Sequence, residues 1–166
     1  MTDCTIRPAR IDDLPAITEI YNQAILNTVA TFDTEPKTPE EQHDWFNEHG
    51  KQHPVMVAEI DGVLVGWSAL SAWSDRYAYS DTAEISVYIE DSFRSKGIGH
   101  KLSQAIIQAG REAGLHTLIA RIADENEASI HIAESLGFER IGVMKEVGRK
   151  FGRLLDVLLM QKIYDK

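Results

Sequence analysis

The sequence predicts a mixed α/β (α+β) fold: one sheet with antiparallel and parallel neighbours, and helices packed on it, in a single domain over residues 1–166. Three observations predict it. Asp61-Gly62 sits between two apolar runs, "VMVAEI" and "VLVGWSAL", which is the signature of a tight antiparallel hairpin. Further on, strands such as "TAEISVYIE" and "LHTLIARIA" alternate with helical stretches, so crossovers occur beside hairpins in a mixed, mostly antiparallel sheet. Between them, "SFRSKGIGHKL" places two glycines and a cluster of positive charge at a helix entrance.

Taken in order, "CTIRPA" reads as the first strand. "DDLPAITEIYNQAILN" carries Leu14, Ile17, Ile20, Tyr21, Ala24 and Ile25 on one helical face, with an Asp at its start as the expected cap. "NTVATFDTEPK" breaks that period and reads as a loop. In "TPEEQHDWFNEHG", Thr38 is placed to cap a second helix, Pro39 suits its first position and Glu41 completes a capping box. The hairpin and "TAEISVYIE" follow, the latter alternating over Ile85, Val87 and Ile89. "IGHKLSQAIIQAGREAG" aligns Ile98, Leu102, Ala105, Ile106 and Ala109, and Gly114 ends it. A strand "LHTLIARIA", a short helix "NEASIHIAESLG" stopping at Gly137, and strands "FERIGVMKEVG" and "LLDVLLMQKI" complete the order β-α-α-β-β-β-α-β-α-β-β.

Composition narrows the functional classes. A net charge of −9 opposes a nucleic-acid partner, because a phosphate backbone meets a repulsive overall field. No apolar run approaches the length that crosses a bilayer, and "MTDCTIRPAR" lacks a signal-peptide core, so no membrane partner is expected. The single cysteine, Cys4, precludes an internal disulfide and fits a reducing compartment, so the expected location is the cytoplasm. The six histidines show no ligand spacing, and no metal site is expected. Trp45, Trp67 and Trp73 read as core residues, with Trp73 close to the site described below.

The glycine turn is neither a P-loop, which needs G-x-x-x-x-G-K-[ST], nor the dinucleotide fingerprint, whose third glycine is replaced by Leu102. Two readings of it stay open. It is a solvated, charged turn, or it is an anion site. Glycines 97 and 99 let a ligand approach the backbone, and the helix entrance offers unpaired N–H groups at the positive end of the dipole. Such a site suits a phosphate or pyrophosphate.

The strand "EISVYIE" followed by Arg94-Ser95-Lys96-Gly97-Ile98-Gly99 resembles the R/Q-x-x-G-x-G/A motif of the GCN5-related N-acetyltransferase superfamily, and "ENEASIHIAESLGF" resembles its late element. The resemblance implies acetyl-CoA as co-substrate. It places the pyrophosphate on Arg94, Ser95, Lys96, Gly97, Ile98, Gly99 and His100, the pantetheine arm beside Asn126 and Ser129, and the thioester carbonyl near the main chain of Val87, Tyr88 and Ile89. It also makes Glu84 the catalytic base, acting through a water, where the residues alone read first as a surface carboxylate on a half-buried strand. The superfamily's late-helix His or Tyr, the usual general acid, is Ala133 here, and His131 lies on another face.

A narrower resemblance, carried by "TFDTEP", "RYAY…TAEISVY" and "GRKFGRLLDVLLMQ", is to the phosphinothricin and methionine sulfoximine acetyltransferase group. It implies a small-molecule amine acceptor and a homodimer. Arg76 would hold the acceptor's acidic group, Tyr77, Ala78 and Tyr79 would line the same wall, and Thr31, Phe32 and Glu35 would reach the pocket from their loop. Lys150, Arg153 and Asp156 of the tail are read as structural, and the group's Trp is Leu154 here. Two alternatives remain: an acetyltransferase of the same fold acting on another amine, such as a protein N-terminus or polyamine, and a non-catalytic acyl-CoA sensor, which Ala133 favours.

Overall fold

A computed structural model describes residues 3–165. Its order is β1 (Cys4–Pro8), α1 (Leu14–Asn27), α2 (Pro39–Asn47), β2 (Val55–Ile60), β3 (Val63–Ala72), β4 (Thr82–Ile89), α3 (Ile98–Glu112), β5 (Thr117–Ala123), α4 (Glu127–Ser135), β6 (Glu139–Lys150) and β7 (Arg153–Ile163), with three short 3-10 turns between. The expected succession of elements is therefore observed. Seven strands form one sheet in the order β1-β2-β3-β4-β5-β7-β6. All neighbours are antiparallel except β4 and β5, which α3 joins as a parallel crossover.

Local chemistry explains most boundaries. Asp61 and Gly62 both take positive φ, at 51° and 78°, the geometry a two-residue hairpin needs. Thr38 accepts from Glu41 N, and the Glu41 carboxylate returns a bond to Thr38 N, closing the capping box. Gly114 and Gly137, at φ of 86° and 92°, stop α3 and α4. The expected Asp cap on α1 is corrected. Asp13 makes no cap bond to α1; its carboxylate instead binds the Arg7 guanidinium at 2.8 Å and accepts from Arg10 N at 2.7 Å. A strong guanidinium partner on β1 outcompetes a helix amide for the same oxygens. The tail also differs: β6 runs on to Lys150 and returns through Phe151 and Gly152, at φ of 53° and 71°, so the tail signature is a hairpin turn.

Two apolar layers sandwich the sheet. On one face α1 brings Leu14, Ile17 and Ile20 onto Val55, Val57, Trp67 and Ala69. On the other, α3 buries Ile98 and Leu102 against Ala58 and Val65, and its Ile106 and Ile107 against Leu70, Leu118 and Leu158. The faces follow strand alternation, so Ser71 of β3 and Glu84, Ser86 and Tyr88 of β4 share the α1–α2 face, while Val87 and Ile89 pack toward α3.

Candidate active site

Pairing between β4 and β5 stops early. It covers Thr82–Thr117, Ala83–Leu118 and Glu84–Ile119, although β4 continues to Ile89 and β5 to Ala123. Beyond Glu84 the two strands diverge and leave a gap. Glu90 N donates to Val65 O, and Trp73 N donates to Thr82 O, so the even-numbered residues of β4 direct their main-chain groups to β3. By alternation, the N–H groups of Val87 and Ile89 turn into the gap, and that of Tyr88 turns away from it. Two oriented main-chain donors thus face the gap, an arrangement able to stabilise negative charge on an oxygen.

At the α3 end of the gap the chain offers more bare donors. After Arg94 N, which bonds Asp91 O, the next internal backbone bond is Lys101 N to Gly97 O at 3.2 Å. Among the described residues, no acceptor meets the N–H groups of Ser95, Lys96, Gly97, Ile98, Gly99 or His100. Ser95 and Gly97 both lie in the left-handed region, at φ of 62° and 82°, which curls successive amides toward one side. A Cβ on Gly97 would touch nothing within 4 Å, whereas one on Gly99 would meet Ile132 of α4 at 3.4 Å. Gly97 therefore supplies conformation and open space, and Gly99 lets α3 lie close to α4. Arg94 and Lys96 are exposed beside the turn, Arg94 within 3.6 Å of Asp91 and Lys96 over the Phe93 ring. At the start of α4, Asn126 Oδ1 accepts from Ser129 N at 3.3 Å, so this pair serves as the helix N-cap.

Glu84 closes the other end, on the α1–α2 face. Both of its oxygens accept from Arg121 of β5, Oε1 from Nη2 at 2.7 Å and Oε2 from Nε. The pair pushes the Arg121 guanidinium further up from an already high value, and that guanidinium stacks over Trp73 at 5.4 Å. Sequence reasoning missed Arg121, since nothing in the spacing links it to a residue 37 positions earlier.

Beside Glu84 lies a cavity of about 320 Å³ between the sheet and α1–α2, whose lining includes Tyr21, Asp33, Lys37, Trp45, Ser71 and Ser86. Trp67 also lines it, and its buried Nε1 has no hydrogen-bond partner. Trp45 and Trp67, expected as core, pack on core residues and also wall this cavity. Tyr21 OH donates to Asp33 and lies 3.0 Å from Thr31 Oγ1, and burial raises the pKa of both Tyr21 and Tyr88, the latter to about 12.

The expected acceptor residues are divided. Thr31 is buried, while Phe32 is exposed with its ring against Gly148 of β6. Glu35 is exposed. Arg76, Tyr77, Ala78 and Tyr79 stand on an exposed turn after β3, outside the cavity lining, with Tyr77 90% exposed. Lys150 explains the loop's position. Buried beneath it, its Nζ donates to Thr28 O at 2.7 Å and Thr31 O at 2.8 Å, and burial lowers its pKa. Arg153 pairs with Glu125, and Asp156 accepts from Glu146 N. Ala133 is buried in the α3–α4 core, and His131 is exposed. Among the described residues, no three His, Cys, Asp or Glu side chains stand together as a metal-binding group, and no helix is long and apolar enough to cross a membrane.

Comparison with known proteins agrees with this geometry. The family described as Acetyltransferase (GNAT) domain matches residues 6–159. The chain is 40% identical to the L-methionine sulfoximine/L-methionine sulfone acetyltransferase of Pseudomonas aeruginosa, over 95% of this chain and 92% of that protein. A phosphinothricin acetyltransferase from Sinorhizobium meliloti, solved in complex with acetyl-CoA, superimposes with a TM-score of 0.93 at 36% identity, covering 96% of this chain and 88% of that one. A ribosomal-protein-alanine N-acetyltransferase from Brucella melitensis also superimposes at 0.93, with 40% identity, covering 96% and 99%. A seven-stranded sheet split between its parallel neighbours, bare amides at the exit of that split, and relatives that agree over almost the whole length lead to one conclusion: the chain belongs to the GNAT acetyltransferase family, whose co-substrate is acetyl-CoA.

Proposed function

We propose that this protein moves the acetyl group of acetyl-CoA onto the α-amine of a small amino acid or glutamate-like analogue, with methionine sulfoximine, methionine sulfone and phosphinothricin as the named candidates. The observation that carries the reading is the run of six acceptor-less amides, Ser95 to His100, at the mouth of the β4–β5 gap. In this reading those amides, with Arg94 and Lys96, hold the diphosphate. Asn126 and Ser129 flank the pantetheine arm. The N–H groups of Val87 and Ile89 receive the carbonyl oxygen as charge develops on it, which favours the transition state over the ground state. Glu84 accepts a proton from the amine through a water.

The names of the relatives support the acceptor class. Arg76 is an exposed cation suited to grip a carboxylate or phosphinate by two hydrogen bonds, with Tyr77, Ala78 and Tyr79 next to it in the chain, and Thr31, Phe32 and Glu35 would contribute from the loop after α1. A homodimer is part of the reading. Its support is the apolar exposure of Ile141, Val143 and Val147 on the edge strand β6, with Phe151 and Leu154 at its hairpin. We place the enzyme in the cytoplasm, as one domain.

The test is an acceptor screen with acetyl-CoA, read by appearance of free thiol. Thiol release rises with one of the three named compounds if the reading is right, and stays at the background rate with all of them if it is wrong. The Brucella relative favours a second reading, a protein N-terminus as acceptor. In competition, an alanine-ended peptide that outpaces every amino acid would select it. Tight acetyl-CoA binding without turnover on any amine would return the sensor.

A further inference from the structure

Two protons leave the nitrogen when an ammonium becomes an amide: one before attack, one from the cationic nitrogen of the adduct. Glu84 serves one of these steps in the reading above, and both of its oxygens already carry Arg121 hydrogen bonds. A second acceptor stands next to it. Ser71 pairs directly with Glu84 across β3 and β4, on the same face of the sheet, and lines the cavity. Its Oγ lies 3.0 Å from His49 Nε2, while His49 Nδ1 lies 2.6 Å from the main-chain oxygen of Trp45. A carbonyl oxygen only accepts, so Nδ1 bears the hydrogen in the neutral ring and Nε2 presents a lone pair to the Ser71 hydroxyl.

We propose that Ser71 and His49 form a proton relay for the acceptor amine, with Ser71 touching the substrate and His49 acting through it. After attack on the thioester carbon, one N–H bond of the adduct breaks and its electrons stay on nitrogen. That proton binds Ser71 Oγ as the hydroxyl's own proton passes to His49 Nε2. The imidazolium keeps its Nδ1 hydrogen bond to Trp45 O, gains one back to Ser71, and releases a proton to water from its half-buried position. The C–S bond breaks with its electrons on sulfur, and the thiolate takes a proton from water. Around the ring, burial lowers the His49 pKa and outweighs the Trp45 carbonyl bond, which raises it; His53 adds to the lowering, Glu48 opposes it, and β3 presents the uncharged Ser71 hydroxyl. A ring of lowered basicity still accepts a proton from the adduct, whose nitrogen is far more acidic than the free ammonium.

The inference rests on the amine acetyltransferase reading, and the experiment separates the two. Ser71→Ala, Ser71→Thr and His49→Gln are assayed beside wild type as pH profiles of kcat, using the best acceptor of the screen. The relay predicts that Ser71→Ala and His49→Gln lose at least tenfold in kcat at unchanged KM for acetyl-CoA. The part of the wild-type acid-side fall of kcat that His49 contributes disappears in both, while any fall from the first deprotonation remains, and Ser71→Thr, which keeps the hydroxyl, recovers most of the rate. Should His49→Gln not fold, the Ser71 pair decides alone. An active wild type whose rate and pH profile Ser71→Ala reproduces overturns the relay and leaves the functional reading standing. A wild type inert toward every amine overturns that reading, and the relay with it.

Discussion

At the α3 end, the β4–β5 gap presents main-chain N–H groups, from Ser95 to His100 and from Val87 and Ile89, fixed by the local path of one continuous segment. At the α2 end it presents side chains delivered from five places: Glu84 from β4, Arg121 from β5, Ser71 from β3, His49 from beyond α2, and a loop that Lys150 of β6 holds from below. In the proposed reading the first end holds the diphosphate of the shared co-substrate, and the second holds the acceptor, which differs between relatives. A site for a constant ligand is built from backbone, and a site for a variable one from side chains that change one at a time.

Changes at the two ends should therefore separate kinetically. The largest effect is expected from Glu84→Gln, which keeps shape and removes the base; turnover falls about 100-fold or more while acetyl-CoA binding is kept, as rapid-quench and binding assays would read. An equal rate rejects Glu84 as the base. Next comes Gly97→Val, which forces a β-branched side chain to φ of 82°. The strain costs about 1–2 kcal/mol of stability, and KM for acetyl-CoA rises at least tenfold with KM for the acceptor little changed.

Lys150→Met sharpens the contrast from the other side. It leaves Thr28 O and Thr31 O without their charged donor at a buried position, for a loss of about 2 kcal/mol in chemical denaturation. Acceptor KM rises because the Thr31–Asp33 wall loosens, and acetyl-CoA affinity stays as in wild type. Thr38→Ala removes the α2 cap and costs about 1 kcal/mol, with a small rise in acceptor KM. The smallest effect is that of mild acid. Burial lowers the His49 and His53 pKa values from the ordinary 6.5, so the unfolded chain binds protons first as pH falls. Stability is full above about 6.5 and declines as pH drops through the folded-state values, and His49→Gln flattens part of that decline in a melting series.

The same contrast explains what the sequence reveals. Elements set by neighbouring residues are legible: the Asp61-Gly62 turn, the Thr38–Glu41 box, the glycine stops at 114 and 137, and the glycine turn at Gly97. Asp13 shows the limit, because its cap potential is visible locally while the Arg7 side chain that claims it arrives from β1 through the fold. Arg121, Ser71, His49 and the Trp45–Trp67 wall carry no spacing signal at all. They meet only after β3, β4 and β5 come into register and α2 lands on that face. Phe151-Gly152 was readable as a turn in principle, yet its Phe is an uncommon first residue at positive φ, which hides the hairpin.

The most direct test follows the main-chain amides themselves. In an ¹⁵N-labelled sample titrated with acetyl-CoA, the resonances of Ser95 to His100, together with Val87 and Ile89, should move the most, and all should saturate at one ligand concentration. If those amides hold still while the cofactor binds elsewhere, the backbone cradle and the thioester placement built on it are wrong.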